Sequence, residues 1–289
     1  MSVYLRPDNL DDALQALQRQ PLTILAGGTD YYPARVGKPL DDDILDLTAI
    51  GDLRCLAEED DHWRIGALAT WTDVIRADLP ACFDGLKAAA REVGGIQIQN
   101  AGTLAGNLCN ASPAADGAPN LVALDASVEL TGSSGIRQVP VSDFVTGNRS
   151  TALQAGEIVT AILVPKLPAA TRSRFLKLGA RKYLVISIVM IGIVIVPTDG
   201  VIADARIAVG ACAPVSKRLR DLEAALVGLP LDSSLGTAVE AGHLQAALSP
   251  IDDIRGSAGY RLESTLVMLR RGLSGLGVEM QDTSTGGGQ

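Results

Sequence analysis

Aromatic residues make up only 3% of the 289-residue chain: two tryptophans, five tyrosines and three phenylalanines. Any core must therefore be assembled from Ala, Val, Leu and Ile. There are two histidines, His62 and His243, which leaves little scope for a triad or for His-based acid–base chemistry. The four cysteines, Cys55, Cys82, Cys109 and Cys212, are scattered. No Cys-x-x-Cys pair and no histidine at ligand spacing accompanies them, so they do not form a zinc or iron–sulfur site. The start, MSVYLRPDNLDDAL, lacks a basic region followed by an apolar core, and no secretory leader is expected. In such a chain the cysteines are expected to be reduced, with Cys55 and Cys212 reading as core residues. The longest apolar run, Leu184 to Val196, is too short to cross a bilayer core of ~30 Å. It reads as a buried strand, or as a hairpin bent at Gly192. A net charge of −8, with no cluster of Lys and Arg, argues against nucleic acid as the main partner.

What is present is a chain of 47% apolar residues, long enough for two domains. Asp8 and Asn9 can cap a helix whose Leu10, Ala13, Leu14 and Leu17 share one face. Leu22 to Ala26 reads as a buried strand and Ile44 to Leu47 as another. Leu53–Leu56 and Trp63–Leu68, joined by an acidic turn, suggest a hairpin. Helices are expected from Thr70 through Ile75 and over Phe83 to Val93, the second ended by Gly94 and Gly95. A second hairpin is expected over Val128–Leu130 and Ile136–Val141, then a strand over Glu157–Val164. Pro165 to Ala170 is the best boundary. Beyond it Arg174–Leu178, Leu184–Val196 and Val201–Val209 read as an antiparallel meander. Lys217–Val227, Leu235–Leu248 and Tyr260–Leu273 have helical spacing. The polar, Gly-rich end, Gln281 to Gln289, is expected to be disordered.

The most informative stretch is Gln99 to Leu130. Gly102, Ala105 and Gly106 carry almost no side chain, so main-chain N–H groups can face an anion there. Thr103, Asn107, Ser112 and Asp116 add short polar groups. Such a loop suits the pyrophosphate and hydroxyls of a nucleotide cofactor; the plain alternative is a Gly-rich turn. A second candidate is the strand that runs through Leu25 and Ala26 into Gly27-Gly28-Thr29-Asp30, whose plain alternative is a strand-to-helix turn. It is not a G-x-G-x-x-G dinucleotide fingerprint, because the glycines are adjacent.

Five short motifs fall in an order that resembles one family. They are Ala26-Gly27-Gly28-Thr29-Asp30, Thr103-Leu104-Ala105-Gly106-Asn107, Ser112-Pro113-Ala114-Ala115-Asp116, Lys177-Leu178-Gly179-Ala180-Arg181-Lys182 and Asp253-Ile254-Arg255-Gly256-Ser257-Ala258-Gly259-Tyr260-Arg261. The chain resembles, over nearly its whole length, the FAD-binding (medium) subunit of molybdenum hydroxylases, the xanthine dehydrogenase and carbon monoxide dehydrogenase group.

The resemblance implies an α+β protein. Residues 1–168 would form a two-subdomain FAD-binding fold of the vanillyl-alcohol-oxidase/PCMH type, with subdomains of about 1–55 and 56–168. Residues 169–280 would hold a three-stranded antiparallel sheet and a three-helix bundle. It implies that Leu25, Ala26, Gly27, Gly28, Thr29 and Asp30 form the first flavin loop. Thr103, Ala105, Gly106, Asn107 and Ser112 would form the second. Asp116 would accept a hydrogen bond from the ribose or adenine, and Val159 and Lys177 would lie near the isoalloxazine. The plain alternatives are a helix cap for Asp116 and a solvated surface charge for Lys177. Ala105 stands where the family often has Gly, and Val185 to Val196 is more apolar than the family leads one to expect.

The resemblance also implies non-covalent FAD, since no histidine lies beside either loop. It places [2Fe–2S] clusters and molybdopterin on partner subunits only, one small and one large, as a dimer of heterotrimers. The external electron acceptor would be NAD or another oxidant, and the complex cytoplasmic. No residue of this chain is expected to act as a nucleophile. A stand-alone FAD-dependent oxidoreductase of the same fold and a non-enzymatic nucleotide-binding module remain as alternatives.

Overall fold

The structure, a computed structural model, describes residues 2–39 and 41–285. Along the chain the strands are β1 (Tyr4–Leu5), β2 (Thr23–Leu25), β3 (Ile44–Asp46), β4 (Leu56–Glu58), β5 (His62–Gly66), β6 (Ser127–Gly132) and β7 (Gly135–Pro140). They continue as β8 (Val145–Gly147), β9 (Ser150–Thr151), β10 (Ile158–Pro165), β11 (Arg172–Leu178), β12 (Val189–Thr198), β13 (Val201–Gly210) and β14 (Lys217–Arg218). The helices are α1 (Leu10–Arg19), α2 (Trp71–Arg76), α3 (Asp84–Glu92), α4 (Ile96–Ala101), α5 (Leu104–Cys109) and α6 (Gly117–Ala123), then α7 (Val141–Phe144), α8 (Arg220–Leu226), α9 (Ala241–Gln245) and α10 (Ala258–Thr285).

The chain divides into two compact units. The first comprises Met1–Ala77, Val93–Ser112 and Asp125–Lys166; the second comprises Asp78–Glu92, Pro113–Leu124 and Leu167–Gln289. In the first unit a parallel sheet of order β1-β3-β2 pairs Thr23 with Ile44 and Leu25 with Asp46. Helix α1 starts where the Asn9 side chain accepts the Asp12 N–H at 2.9 Å. It buries Ala13 and Ala16 with Leu45, Leu47, Ile50, Leu53 and Ile158. An antiparallel sheet of order β4-β5-β10-β6-β7 completes the unit. Its two hairpins, β4–β5 and β6–β7, follow the alternation and turn signals in the sequence.

In the second unit an antiparallel sheet of order β11-β12-β13-β14 lies between two helical layers. Ile191, Ile193 and Ile195 of β12 face a core shared with Leu222 and Leu226 of α8 and Leu269, Leu273 and Leu276 of α10. On the other face Met190 meets Ala89 of α3, and α6 crosses β12 at Gly192. A Cβ at Gly192 would sit 2.7 Å from the Pro119 carbonyl oxygen. Burial on both faces explains the apolar run from Val189 to Val196, because a strand covered on both sides has no solvent-facing positions to alternate; the expected strand starts only at Val189, and Leu184 and Ile186 before it are exposed. The strand runs straight through Gly192, which marks a close helix approach and no bend. Strand β14 adds a fourth member to the expected meander.

Other details differ from the periodicity. The helix expected over Leu235–Leu248 is broken into a 3₁₀ segment, Ser233–Ala238, and the five-residue α9, with Val239 extended between them. Gly236 lets that segment press on α10, where a Cβ would lie 2.4 Å from the Arg270 carbonyl oxygen. The apolar stretch Leu121–Leu124 belongs to α6 and its cap. Helix α10 continues to Thr285. Of the tail expected to be disordered, residues 286–289 lie outside the described residues. Among the described residues no helix is long and apolar enough to cross a membrane, and no group of His, Cys, Asp or Glu could hold a metal ion.

Candidate flavin site

The first loop leaves β2 at Leu25, whose side chain is buried. Gly28 has φ +68°, a left-handed conformation that glycine adopts without penalty. The Gly28 carbonyl then accepts the Tyr32 N–H at 3.2 Å, and the Asp30 carbonyl accepts the Ala34 N–H. Among the described residues the N–H groups of Gly27, Gly28, Thr29 and Asp30 have no acceptor. These residues are half-buried or exposed, so four successive donors stand ready for an anion.

The second loop is built within the same unit. The Gly102 carbonyl accepts the Trp71 N–H at 3.1 Å, and the Leu104 N–H donates to the Ala69 carbonyl at 3.1 Å. Thr103 caps α5 with its hydroxyl on the Gly106 N–H at 3.0 Å. Ala105 is in the first turn of that helix, buried and outside the left-handed region. The methyl group that departs from the family pattern is accommodated there without strain. Asn107 follows in the same helix and Ser112 ends the segment.

The two loops meet backbone to backbone. A Cβ on Gly27 would lie 1.9 Å from the Ala101 carbonyl oxygen, and one on Gly102 would lie 3.1 Å from the Thr29 hydroxyl. Two segments some seventy positions apart in the sequence thus make one small-residue surface carrying unpaired donors. That arrangement fits a pyrophosphate and exceeds what an ordinary turn needs. Val159 of β10, in the same unit, is buried opposite Leu130 of β6.

Asp116 and Lys177 belong to the second unit, and they are partners. Lys177 Nζ donates to Asp116 Oδ2 at 2.6 Å, with side chains 4% and 9% exposed. Lys177 is therefore no solvated surface charge. Asp116 stands at the start of α6, yet its carboxylate makes no cap hydrogen bond. Its other oxygen accepts the Ser187 hydroxyl at 2.6 Å. Burial pushes the Asp116 carboxyl up, against the pull of the Lys177 ammonium and the Ser187 hydroxyl. Burial likewise raises Glu92, opposed by Lys177 and reinforced by Asp116. The sequence reading assigned Asp116 to the adenine end and Lys177 to the isoalloxazine end of the cofactor. In the structure the two residues are in direct contact as an ion pair. The 61-residue separation concealed the pairing, and Ser187 was missed because its neighbours read as a strand.

The same parts recur in known proteins. Residues 1–167 match the family described as the FAD-binding domain in molybdopterin dehydrogenase. Residues 174–276 match the CO dehydrogenase flavoprotein C-terminal domain. The chain is 34% identical over 243 residues to the nicotinate dehydrogenase FAD-subunit of Eubacterium barkeri, covering 79% of this chain and 80% of that one. It is 32% identical over 275 residues to the carbon monoxide dehydrogenase medium chain of Afipia carboxidovorans, covering 93% and 94%. The crystal structure of quinoline 2-oxidoreductase from Pseudomonas putida 86 superposes with a TM-score of 0.87 at 27% identity, covering 96% of this chain and 97% of that chain. The fold is that of an FAD-binding flavoprotein subunit. The chain belongs to the FAD-binding medium subunits of the molybdenum hydroxylases, the family of xanthine dehydrogenase and carbon monoxide dehydrogenase.

Proposed function

We propose that this chain holds FAD non-covalently as the electron relay of a cytoplasmic molybdenum hydroxylase. A small [2Fe–2S] subunit and a large molybdopterin subunit would complete a dimer of heterotrimers. The observation that carries the cofactor assignment is the back-to-back seating of Gly27 on Ala101–Gly102, with the free N–H groups of Gly27 to Asp30 beside it. Gly27, Gly28, Thr29 and Asp30 bind the pyrophosphate through the main chain, with Leu25 and Ala26 fixing where the loop leaves the sheet. Thr103, Ala105, Gly106, Asn107 and Ser112 form the opposing wall, and Val159 supplies an apolar surface. Asp116 and Lys177 are assigned to the cofactor by their motifs, as one ion pair serving one part of it. Bound FAD supplies a carrier that takes up electrons from a partner's cluster and gives them to NAD or another oxidant. This chain binds and orients that carrier; among its residues none is assigned as nucleophile, acid or base.

Acid or heat denaturation of the purified chain is expected to release FAD into the supernatant. FMN in the supernatant, or flavin retained in the precipitate, would contradict the assignment.

A further inference from the structure

Ser187 is 2% exposed and precedes β12 at the end of the segment that follows Lys177. Its position is fixed from the next residue. The Ile188 N–H donates to the Leu178 carbonyl at 2.7 Å, and the Ile188 carbonyl accepts Arg261 Nη1 at 2.6 Å. Arg261, on α10, has a side chain only 3% exposed. It also donates to the Ala211 carbonyl at 3.0 Å and to Asp253 at 2.7 Å. Asp253 is in turn held as an anion: although desolvation opposes it, the N–H and guanidinium of Arg255 and the guanidinium of Arg261 bring its carboxyl to about 2. A fully charged clasp thus pins the backbone beside Ser187, which leaves the Ser187 hydroxyl aimed at Asp116.

We infer that Ser187 is a positioning residue for the cofactor pair: its hydroxyl, held in place by the Arg261 clasp, orients Asp116 and through it aims the Lys177 ammonium. This rests on the reading that Lys177 faces the cofactor. A lone aspartate beside a buried lysine could rotate, because each oxygen is an equivalent acceptor. With Oδ1 committed to Ser187 and Oδ2 to Lys177, rotation breaks two short hydrogen bonds at once. The hydroxyl also offsets burial, which favours a protonated Asp116. The other charged groups around the pair are Glu92, whose carbonyl accepts Lys177 Nζ at 3.5 Å, and Lys182, which acts on Glu92. Neither supplies a donor to Oδ1. Ser187 therefore works alongside Lys177, against burial, on the pH at which Asp116 takes up a proton.

The test uses the full chain with two readouts. The first is the ¹³C carboxyl titration of Asp116, identified by its loss in Asp116→Asn. In Ser187→Ala its midpoint should rise by about one pH unit, the scale expected for losing a hydrogen bond to a buried carboxylate. Ser187→Thr, which keeps the hydroxyl, should return it toward the parent value. The second is the midpoint potential of bound FAD as a function of pH, whose break should move with the carboxyl. A folded Ser187→Ala chain with an unmoved Asp116 titration overturns the role of Ser187, whatever the flavin does. An Asp116 midpoint that shifts while the flavin profile stays fixed, in Ser187→Ala and in Lys177→Met alike, overturns the placement of Lys177 at the cofactor, and the positioning role with it.

Discussion

Replacing Gly27 by alanine puts one methyl group where the structure has backbone on the far side. Its Cβ would lie 1.9 Å from the Ala101 carbonyl oxygen, 2.7 Å from the Ala101 carbonyl carbon and 3.0 Å from Gly102 Cα. Ordinary contact begins near 3.4 Å, so the two segments must part by about 1.5 Å. No flexible side chain can absorb this, because every atom in the way is main chain. Ala101 is tied by α4, and Gly102 by its bonds to Ile98 and Trp71. Overpacking at yielding sites costs roughly 1–3 kcal/mol, and this site belongs at the upper end.

If the first loop moves, its donors leave the phosphate. Losing one hydrogen bond to a charged group costs about 1.5–3 kcal/mol, which is roughly a ten- to hundredfold rise in Kd. The assay is fluorescence titration of the deflavo chain with FAD, beside thermal melting. Gly51→Ala is the control, because a Cβ there meets nothing within 4 Å. A Gly27→Ala chain that binds FAD and melts like the parent would refute the packing argument.

Two further outcomes follow from the first unit. Gly106→Val adds bulk 2.7 Å from the Thr103 hydroxyl that caps the Gly106 N–H; the cap alone is worth about 1 kcal/mol. FAD should be lost while far-ultraviolet circular dichroism shows the fold retained, and unchanged flavin content would place the second loop elsewhere. In the five-stranded sheet Arg64 clasps Glu129 with two hydrogen bonds, 2.7 and 2.9 Å, and Thr160 adds a third at 2.6 Å. The Arg64 bonds, with Thr160 and against burial, hold the Glu129 carboxyl below its usual range. A depressed carboxyl stabilises the fold above its unfolded value, near 4.3, and that contribution disappears as pH falls through the folded value. Glu129→Gln should cost about 2 kcal/mol in urea unfolding at pH 7 and little at pH 2. An equal loss at both pH values would contradict it.

Much of the architecture could be read from the residues, because strands and hairpins leave local marks. Leu22 to Ala26 and the two hairpins announce themselves by apolar patterning and turn residues, and the apolar run Leu184 to Val196 announces a strand whose start, Val189, it places five residues too early. The two Gly-rich loops were legible as candidates for the same reason. Their mutual seating was not, since nothing in Gly27-Gly28 says that Ala101 and Gly102 are its neighbours. The Asp116–Lys177–Ser187 cluster escaped for a related cause: each residue alone has a bland explanation, and only tertiary packing brings them together. Two of the helices that cover the second sheet, α3 and α6, come from the first 124 residues. The second core thus draws on segments from before the Pro-rich stretch as well as after it. The 235–248 segment failed because helical spacing persisted across residues that packing against α10 forced into a tighter turn and an extended break.

The relay itself is tested by anaerobic bleaching of the flavin absorbance. The FAD-loaded chain alone, mixed with purine, aldehyde or N-heteroaromatic substrates, should stay yellow. With its iron–sulfur and molybdenum partner subunits added, the substrate of the assembled enzyme should bleach it. Rapid bleaching of the lone chain by an organic substrate would contradict the relay and identify a self-sufficient flavin enzyme.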